Sequence, residues 1–265
     1  GGNPRAEVFL AESDTTSVSI NLSYAEIEEN LDKRDENNNS IYRLAEGTGK
    51  FTVQHPDIGE DTYIGFSEII FTDRTVTVNV PDSAAEYPND NGEITTGLKT
   101  GAYLKYTLSK TEDSTKNTLK AHSETSLSGT LNFNSGDNII ILDGQGKNYR
   151  GLSGDDTYFV SQLLPNSTKV SITDTEGTNT IQIPTNTYVD KTLFTKNAAR
   201  LTLQDGREIT INSADKFSYN VGGNVTDGTK GTDLTFTEFA ATFGVDDVLN
   251  SSGAQTGIFA DLYII

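Results

Sequence analysis

Glycines and oxygen-bearing side chains recur at regular intervals between residues 134 and 160, in a pattern that suits a divalent cation. The clearest phrase begins at Gly151, turns at Gly154 and reaches Tyr158. Glycine allows positive φ in the turn, Asp156 offers carboxylate oxygens, and Tyr158 begins a short strand with an inward side chain. The sequence predicts a calcium-binding turn here.

Two weaker copies of this phrase precede it. Gly146 and Asn148 stand before one apolar strand residue, and Gly136 and Asn138 stand before another. The spacings from Gly136 to Gly146 and on to Gly154 average to the period of about nine residues that is typical of a parallel β-roll.

Two further clusters of Asp, Asn and Gly stand before apolar residues at 174–181 and 227–236. Calcium takes about 6 to 8 oxygen ligands, which flexible turns supply better than they supply the strict octahedron of Mg²⁺. Such clusters are also ordinary turn chemistry, so the period of the 136–156 series is what favours calcium. The candidate metal ligands are Asp137, Asn138, Asp143, Gly146, Asn148, Gly151, Gly154, Asp155, Asp156, Asp174, Asn179, Asp227 and Asp233.

Most of the chain has the composition of strands, rich in Thr, Val, Ile, Tyr and Phe between Asn, Asp and Gly turns. Apolar spacing predicts short helices over 24–31 and 236–243. Alternation predicts a half-buried strand over 75–80, and two alternating runs within 200–211 meet at Asp-Gly, which favours a type I′ hairpin. We expect an all-β fold, in which a short parallel β-roll or β-solenoid element packs with antiparallel, sandwich-like strands and one or two short helices.

The composition changes at residues 81–92, where two prolines and three acidic residues leave little to bury. This segment is typical of a linker or a long surface loop, and one continuous β domain is the alternative. The sequence predicts an N-terminal β module over 1–90, a roll-derived β domain over 91–250 and a C-terminal tail over 251–265. The polar stretch 109–128 fits either a solvated hairpin or a loose connection.

The 265-residue chain carries 20 Lys and Arg against 38 Asp and Glu, a net charge of −18. Nucleic acid and anionic membrane surfaces are therefore poor partners, and cations are good ones. Cysteine is absent, which excludes disulfides and thiolate chemistry. No apolar run approaches the ~18 residues of a membrane span.

No catalytic motif is present. His55 and His122 lie far apart and outside any HExxH pattern, and we expect a turn residue and a solvated side chain. Neither a GxSxG elbow nor a phosphate-binding glycine loop occurs. A glycosidase or lyase needs only carboxylates, Tyr, Lys or Arg, so that class of enzyme stays open as the alternative.

The phrase GLSGDDTYF at 151–159 resembles the nonapeptide G-G-x-G-x-D-x-U-x of bacterial repeats-in-toxin (RTX) proteins. Leu152 replaces the second glycine, and the two earlier copies carry Asn138 and Asn148 where the family has Asp. The resemblance implies calcium bound in the turns, at fewer or weaker sites than in the long arrays of that family.

Two other segments are similar to parts of the same family. Residues 59–80 resemble a segment common in RTX proteins, with Arg74 at a usual glycine; it implies packing, and Asp61 is expected to bind a backbone amide. The C-terminus, Asp261 followed by four apolar residues, resembles the uncleaved export signal of type I secretion, although a terminal strand would look the same.

These features together predict a secreted, calcium-stabilised, non-catalytic protein at or outside a bacterial cell surface. A surface-layer, matrix or adhesive component would have other copies of itself or a cell-surface polysaccharide as partners, and the type I apparatus during export. The alternatives are a polysaccharide-active enzyme or its terminal module, and a calcium-dependent glycan-binding adhesin.

Overall fold

A computed structural model describes most of the chain. The residues described with their side chains are 6–9, 11, 17–47, 49–78, 129–133, 135–142, 144, 146–160, 164–224 and 229–257. The backbone is also described at 10, 87–88, 94–95, 106–110, 117–121 and 263–264. Most of the predicted linker at 81–92, together with His122, lies outside these ranges.

Strands dominate the described residues, which confirms the all-β prediction. The two predicted helices are also confirmed, as α1 (Tyr24–Glu29) and α2 (Phe236–Thr242). Ser23 caps α1, and Thr235 begins α2 with a capping box. Helix α1 is shorter than predicted, since it ends before Leu31 and leaves that side chain 40% exposed. No helix in the described part of the chain is long and apolar enough to cross a membrane.

The chain forms two compact units, the first built around residues 6–78 and joined by Asn224, Thr229 and Lys230. Its strands form a four-stranded sheet in the order β1-β5-β4-β3 and a three-stranded sheet in the order β2-β6-β7. The strands are β1 (Val8–Leu10), β2 (Ser17–Ser19), β3 (Arg43–Gly47), β4 (Lys50–His55), β5 (Gly59–Ile64), β6 (Glu68–Ile70) and β7 (Thr75–Thr77).

An apolar core within this unit includes Phe9, Phe51, Tyr63 and Phe71. Strand β1 pairs in parallel with β5, which sets Phe9 beside Tyr63 with the rings stacked at 4.9 Å between centroids. The predicted strand over 75–80 is described only as β7, followed by the buried Val78.

The second unit is built around residues 129–223 and 231–257. Its strands, with the short pair β8 and β9 that precedes them, are β8 (Tyr87–Pro88), β9 (Ile94–Thr95), β10 (Tyr106–Lys110), β11 (Asn117–Ala121), β12 (Thr130–Asn132), β13 (Asp137–Leu142), β14 (Asn148–Arg150), β15 (Thr157–Val160), β16 (Lys169–Thr173), β17 (Asn179–Pro184), β18 (Tyr188–Thr195), β19 (Ala198–Leu203), β20 (Glu208–Asn212), β21 (Phe217–Gly223), β22 (Thr232–Leu234), β23 (Gln255–Thr256) and β24 (Tyr263–Ile264).

The middle of this unit is a parallel coil, in which the chain alternates between two sheets. Strands β12, β14, β16 and β20 pair in parallel in one sheet, and β13, β15, β17 and β21 pair in parallel in the other. Each coil therefore contributes one strand to each sheet. This alternation follows from short strands whose first residues are 7 to 12 positions apart within each coil and from one coil to the next, from β12 to β17.

Columns of apolar side chains fill the coil, because residues in register on parallel strands project from the same face. Ile140, Tyr158, Ile181 and Tyr219 form one such column, and each is fully buried. Tyr149 and Ile172 belong to a matching column in the other sheet. Both columns belong to a single apolar cluster, so the core of this unit lies inside the coil.

Antiparallel strands are added to both sheets of the coil. Strands β10 and β11 form a hairpin beside β13, so the described backbone of the polar 109–128 stretch includes a hairpin. Strands β18 and β19 extend the sheet beyond β20, while β22 extends the other beyond β21. The C-terminal strand β24 pairs with β18.

The hairpin predicted within 200–211 is confirmed as β19 and β20, but its predicted turn type is wrong. A type I′ turn needs positive φ at both central residues, and here only Gly206 has it, at +81°. The Leu203 N–H bonds to the Arg207 carbonyl at 2.8 Å, which leaves a three-residue loop, Gln204 to Gly206. The Arg207 guanidinium bonds to Asp205 across this loop and favours the wider turn.

Candidate functional site

Three turns of the coil lie above one another at one edge, each before a strand of the β13 sheet. They share the order glycine, a polar residue, then Asp or Asn, as Gly136–Asn138, Gly154–Asp156 and Gly177–Asn179. The third positions are 18 and 23 residues apart. The copy with Gly146 and Asn148 precedes a strand of the other sheet, so it lies outside this stack.

Side chains in the second position of each turn hold the next turn. The Asp155 N–H donates to Asp137 Oδ1 at 2.7 Å, and the Thr178 N–H donates to Asp155 Oδ1 at 2.6 Å. Each of these carboxylates thus accepts a backbone hydrogen bond from the turn that follows it. Charged acceptors make such bonds short and strong.

Side chains in the third position act in the opposite direction. The Asn138 N–H donates to Asp156 Oδ1 at 2.7 Å, and the Asp156 N–H donates to Asn179 Oδ1 at 2.8 Å. The two ladders run in opposite directions along the stack. The third-position ladder pairs backbone donors that would otherwise be buried without a partner, whereas the second-position ladder lies at exposed residues.

Glycine is required in the first position by close contact between turns. Gly154 has φ of +115° and Gly177 has φ of +80°. A Cβ on Gly154 would lie 2.5 Å from the Gly136 carbonyl oxygen, and one on Gly177 would lie 1.8 Å from the Gly154 oxygen. The glycine carbonyls therefore point along the stack towards the next turn.

A pair of buried carboxylates lies beside this stack. Asp156 is 1% exposed and Asp174 is 4% exposed. A Cβ on Gly151 would lie 2.0 Å from Asp156 Oδ2 and 2.7 Å from Asp174 Oδ2, so the two oxygens face the same space beside that glycine. Only a residue without a side chain leaves this space open.

Tyr158 connects this pair to the backbone. Its hydroxyl donates to Asp174 Oδ2 at 2.6 Å and accepts from the Gly151 N–H at 2.6 Å. Burial, followed by the Asp174 carboxylate, raises the pKa of Tyr158 above its usual value, so the hydroxyl keeps its proton. Asp156 Oδ2, in contrast, is buried and accepts no hydrogen bond from the described residues.

Burial raises the pKa of the Asp156 carboxyl to about 7, because a charge is poorly solvated there. The hydrogen bonds from Asn138 lower this pKa and the nearby Asp174 raises it. Two carboxylates that share a buried space repel each other unless a proton or a cation lies between them.

This arrangement suits calcium in its chemistry. Two carboxylates are hard oxygen donors, and Asp156 Oδ2 is an acceptor that receives no donor from the described residues. Asp156 and Asp174 are the groups that would hold the ion. Among the described residues, no group of three or more His, Asp or Glu side chains is placed to hold a metal, so backbone oxygens and water would complete the ligand set.

The structure places the predicted ligands in several different surroundings. Asp137, Asn138, Gly154, Asp155, Asp156 and Asn179 lie in the stacked turns, while Gly151 and Asp174 lie beside them. Asn148 bonds to the Ser171 hydroxyl on the opposite edge, and a Cβ on Gly146 would clash with Leu131. Asp233 accepts a bond from Asn220 at 3.0 Å. Asp143 and Asp227 lie outside the described residues.

Two features of this site are not predicted by the sequence. The sequence predicts that Tyr158 points inward but assigns no role to its hydroxyl, which donates a hydrogen bond to Asp174. Thr178 occupies a ladder position without being named. A glycine followed two residues later by Asp or Asn is the signal that could have aligned Gly177–Asn179 with the earlier turns.

His55 ends β4 and is 5% exposed, with its ring nitrogen Nδ1 bonded to the Asp57 N–H at 3.1 Å. It therefore begins the turn that the sequence predicts. Asp61 accepts a bond from a backbone amide, as expected, although the donor is Glu7.

Comparison of the chain with protein-family models, with curated proteins and with solved structures found no match.

Proposed function

We propose that the chain is a secreted, non-catalytic structural protein of a bacterial surface, stabilised by calcium. The observation that supports this function is the facing pair Asp156 and Asp174, in which a buried carboxylate oxygen accepts no hydrogen bond from the described residues. The pair lies beside stacked turns whose role is to hold one coil to the next. Calcium bound there would tie two successive coils together.

Calcium binding would contribute its free energy to folding, because the ligand oxygens converge only after the coils stack. Extracellular modules often bind with Kd of ~10⁻⁴ to 10⁻³ M. Free calcium at roughly 100 times Kd adds ~2.7 kcal/mol per independent site. Where free calcium is low, the net charge of −18 opposes compaction, which suits export of a loosely folded chain through a type I apparatus.

The ends of the coil restrict how copies could assemble. Strands β22 and β19 cover the last coil strands of their sheets, whereas β12 (Thr130–Asn132) ends the order of its sheet. We therefore place contacts between copies at β12, whose outer edge pairs with no strand among the described residues and can add one. A protein that stays strictly monomeric at high concentration with excess calcium, by light scattering, would contradict assembly.

The experiment that tests calcium is a titration of the chelator-treated protein, followed by circular dichroism and light scattering together. We expect the midpoint of thermal unfolding to rise with calcium in the wild type. Asp156→Asn should remove most of this response, while Asp190→Asn, at an exposed position of β18, should keep it. An equal calcium response in all three proteins would overturn the site.

A concave surface supports the glycan-binding adhesin as a second candidate. Tyr188, Gln204, Asp205 and Arg207 line a cavity of about 280 Å³. Tyr188 is 39% exposed, and Arg207 Nε contacts Asp205 Oδ2 at 2.8 Å, so a ring lies near planar polar groups. Such a mixture of aromatic and fixed polar groups suits sugars.

Retention on a polysaccharide column separates the candidates. Glycan binding predicts retention that Tyr188→Ala removes, and products released from the column matrix would point to a polysaccharide-active enzyme instead. Passage of the wild type without retention would leave the structural role as the better account.

A further inference from the structure

An ion pair joins Lys230 to Asp61, which are 169 residues apart in the sequence and belong to the same compact unit. Lys230 Nζ lies 3.0 Å from Asp61 Oδ1, and it also donates to the backbone carbonyl of Ile58. The Asp61 side chain is 2% exposed, and that of Lys230 is 26% exposed. An amine and a carboxyl group are therefore held in contact at the edge of a core.

Aromatic side chains lie on the same face of the sheet as Asp61. Asp61 and Tyr63 are alternate residues of β5 and share one face, where Tyr63 stacks on Phe9. Tyr63 is 2% exposed, and Phe9 is 1% exposed. Charges are poorly solvated on this face, so the neutral form of the Asp61 carboxyl is favoured there.

Glu7 supplies a second carboxyl group on the same face. It is 2% exposed, and its backbone N–H donates to Asp61 Oδ1 at 3.0 Å. Because Glu7 and Phe9 are alternate residues, and Phe9 is in register with Tyr63, the Glu7 side chain falls on the face that carries Asp61. Burial, then the charges of Asp61 and Glu7, raise the pKa of Tyr63.

We propose that Lys230 and Asp61 form an intramolecular amide bond, which ties the two distant parts of this unit together covalently. Proton transfer within the ion pair first gives a Lys230 amine and an Asp61 carboxylic acid. The amine nitrogen then attacks Cγ, and a bond forms between Nζ and Cγ. The bond between Cγ and the hydroxyl oxygen then breaks. Glu7 takes one proton from the nitrogen and returns it to the leaving hydroxyl, so one water molecule is released and no oxidant or reductant is needed.

Two further observations favour this reaction. Burial raises the pKa of Asp61 to about 6, even though Lys230 lowers it, so a protonated carboxyl is available near neutral pH. A cavity of about 280 Å³, lined in part by Asp61, Lys230 and Tyr63, lies next to the pair and gives the released water a way out. Contact at 3.0 Å supplies the proximity that an uncatalysed amide synthesis lacks.

The bond would serve a chain that has no cysteine and therefore cannot form a disulfide. A cross-link between positions 169 residues apart restricts the unfolded chain strongly, as a disulfide would, but it resists reduction. This inference does not depend on calcium, since the pair lies in the other unit from the stacked turns.

Mass spectrometry of the denatured, full-length protein tests the proposal. After incubation in the folded state, we expect the wild type to be lighter than its sequence mass by one water. Lys230→Arg keeps the charge but should retain the full sequence mass. In Asp61→Asn the same bond would release ammonia, so its mass deficit should change accordingly. Protease digestion of the wild type should yield one branched peptide that contains both Lys230 and Asp61.

Two results would overturn the proposal. One is a wild type that retains its full sequence mass after prolonged incubation at pH of roughly 6 to 7, which is the range in which Asp61 titrates. The other is a water deficit that maps elsewhere, for example to a succinimide at Asp205-Gly206. Glu7→Gln should slow the growth of the branched peptide several-fold; an unchanged rate would remove Glu7 from the mechanism.

Discussion

The Asp156 carboxylate accepts a hydrogen bond from the Asn138 N–H at 2.7 Å, although the two residues are 18 apart in the sequence. This contact uses one oxygen of the side chain to hold two coils together. The other oxygen, Oδ2, turns towards Asp174 in the next coil and receives no donor from the described residues. One side chain therefore both builds the stack and carries a buried oxygen that accepts no hydrogen bond from the described residues.

Replacement of Asp156 by Asn separates these two roles. The amide keeps an oxygen for the Asn138 N–H, and its NH₂ group can donate to Asp174, so the buried repulsion disappears. We expect calcium-free Asp156→Asn to be more stable than the calcium-free wild type above pH 7 by about 1 to 3 kcal/mol. Chemical unfolding in the presence of a chelator measures this difference.

Asp156→Ala is the control for this comparison, because it removes the acceptor as well as the charge. That variant should be less stable than Asp156→Asn by about 1 to 3 kcal/mol, since the Asn138 N–H is then buried without a partner. Equal stabilities of the Asn and Ala variants would show that the ladder bond contributes nothing.

The stability of the calcium-free protein should also depend on pH through Asp156. Its pKa is about 7 in the fold, against 3.8 as an unperturbed group, so between these values the folded state binds more protons than the unfolded state. Stability should therefore rise as pH falls from 7 towards 4, with a slope of up to about 1.4 kcal/mol per pH unit from this group.

Subtraction isolates this effect from the other carboxyl groups. We subtract the unfolding free energy of Asp156→Asn from that of the wild type, both measured by chemical unfolding across pH 4 to 8 in steps of about one unit. This difference should show the slope with pH. Saturating calcium should flatten it, because the bound ion favours the charged carboxylate. A difference that stays constant with pH in chelator would contradict the raised pKa.

The sequence predicted the fold class because alternating apolar residues and turn residues report burial and chain reversal directly. The coil places Tyr158 and Ile181 in register. Each residue follows a glycine-containing turn that can be recognised in the sequence. Gly206 correctly indicated the position of the turn between β19 and β20. The turn type was wrong because the Asp205 to Arg207 contact is a side-chain interaction that dipeptide preference does not contain.

Partner choice within the turns was less predictable. A carboxylate in a Gly/Asp turn can bind calcium or a backbone N–H, and residue type alone does not distinguish them. Asp137 and Asp155 bind N–H groups of the following turn, whereas Asp156 also faces Asp174. Sequence spacing did not predict that Asp174 faces Asp156, because the coil that contains Asp174 is five residues longer than the coil before it.

Close contact between turns makes Gly177 a sensitive position. Gly177→Ala should destabilise the protein by at least about 2 to 3 kcal/mol, because positive φ and a backbone clash act together. The new Cβ would lie 1.8 Å from the Gly154 carbonyl oxygen. Thermal or chemical unfolding measures the loss.

Two other glycines serve as matched controls for this substitution. Gly222 has φ of +86° with nothing within 4 Å of an added Cβ, so Gly222→Ala should show the backbone strain alone, about 1 kcal/mol. Gly253→Ala has neither strain nor clash and should be near neutral. A similar loss in the Gly177 and Gly222 variants would show that the turns relax apart easily.

Tyr158 supplies the last test, because its hydroxyl donates to Asp174 and accepts from the Gly151 N–H in a buried site. Tyr158→Phe keeps the ring and its packing on Phe217 but leaves both partners without this bond. We expect a loss of about 1 to 3 kcal/mol in unfolding free energy, whereas Tyr188→Phe at an exposed position should change little. Loss of the donor also leaves Asp174 with more uncompensated charge, so calcium should restore more stability to Tyr158→Phe than it adds to the wild type. If calcium added equal stability to both proteins, the hydroxyl and the ion would not act on the same carboxylate pair.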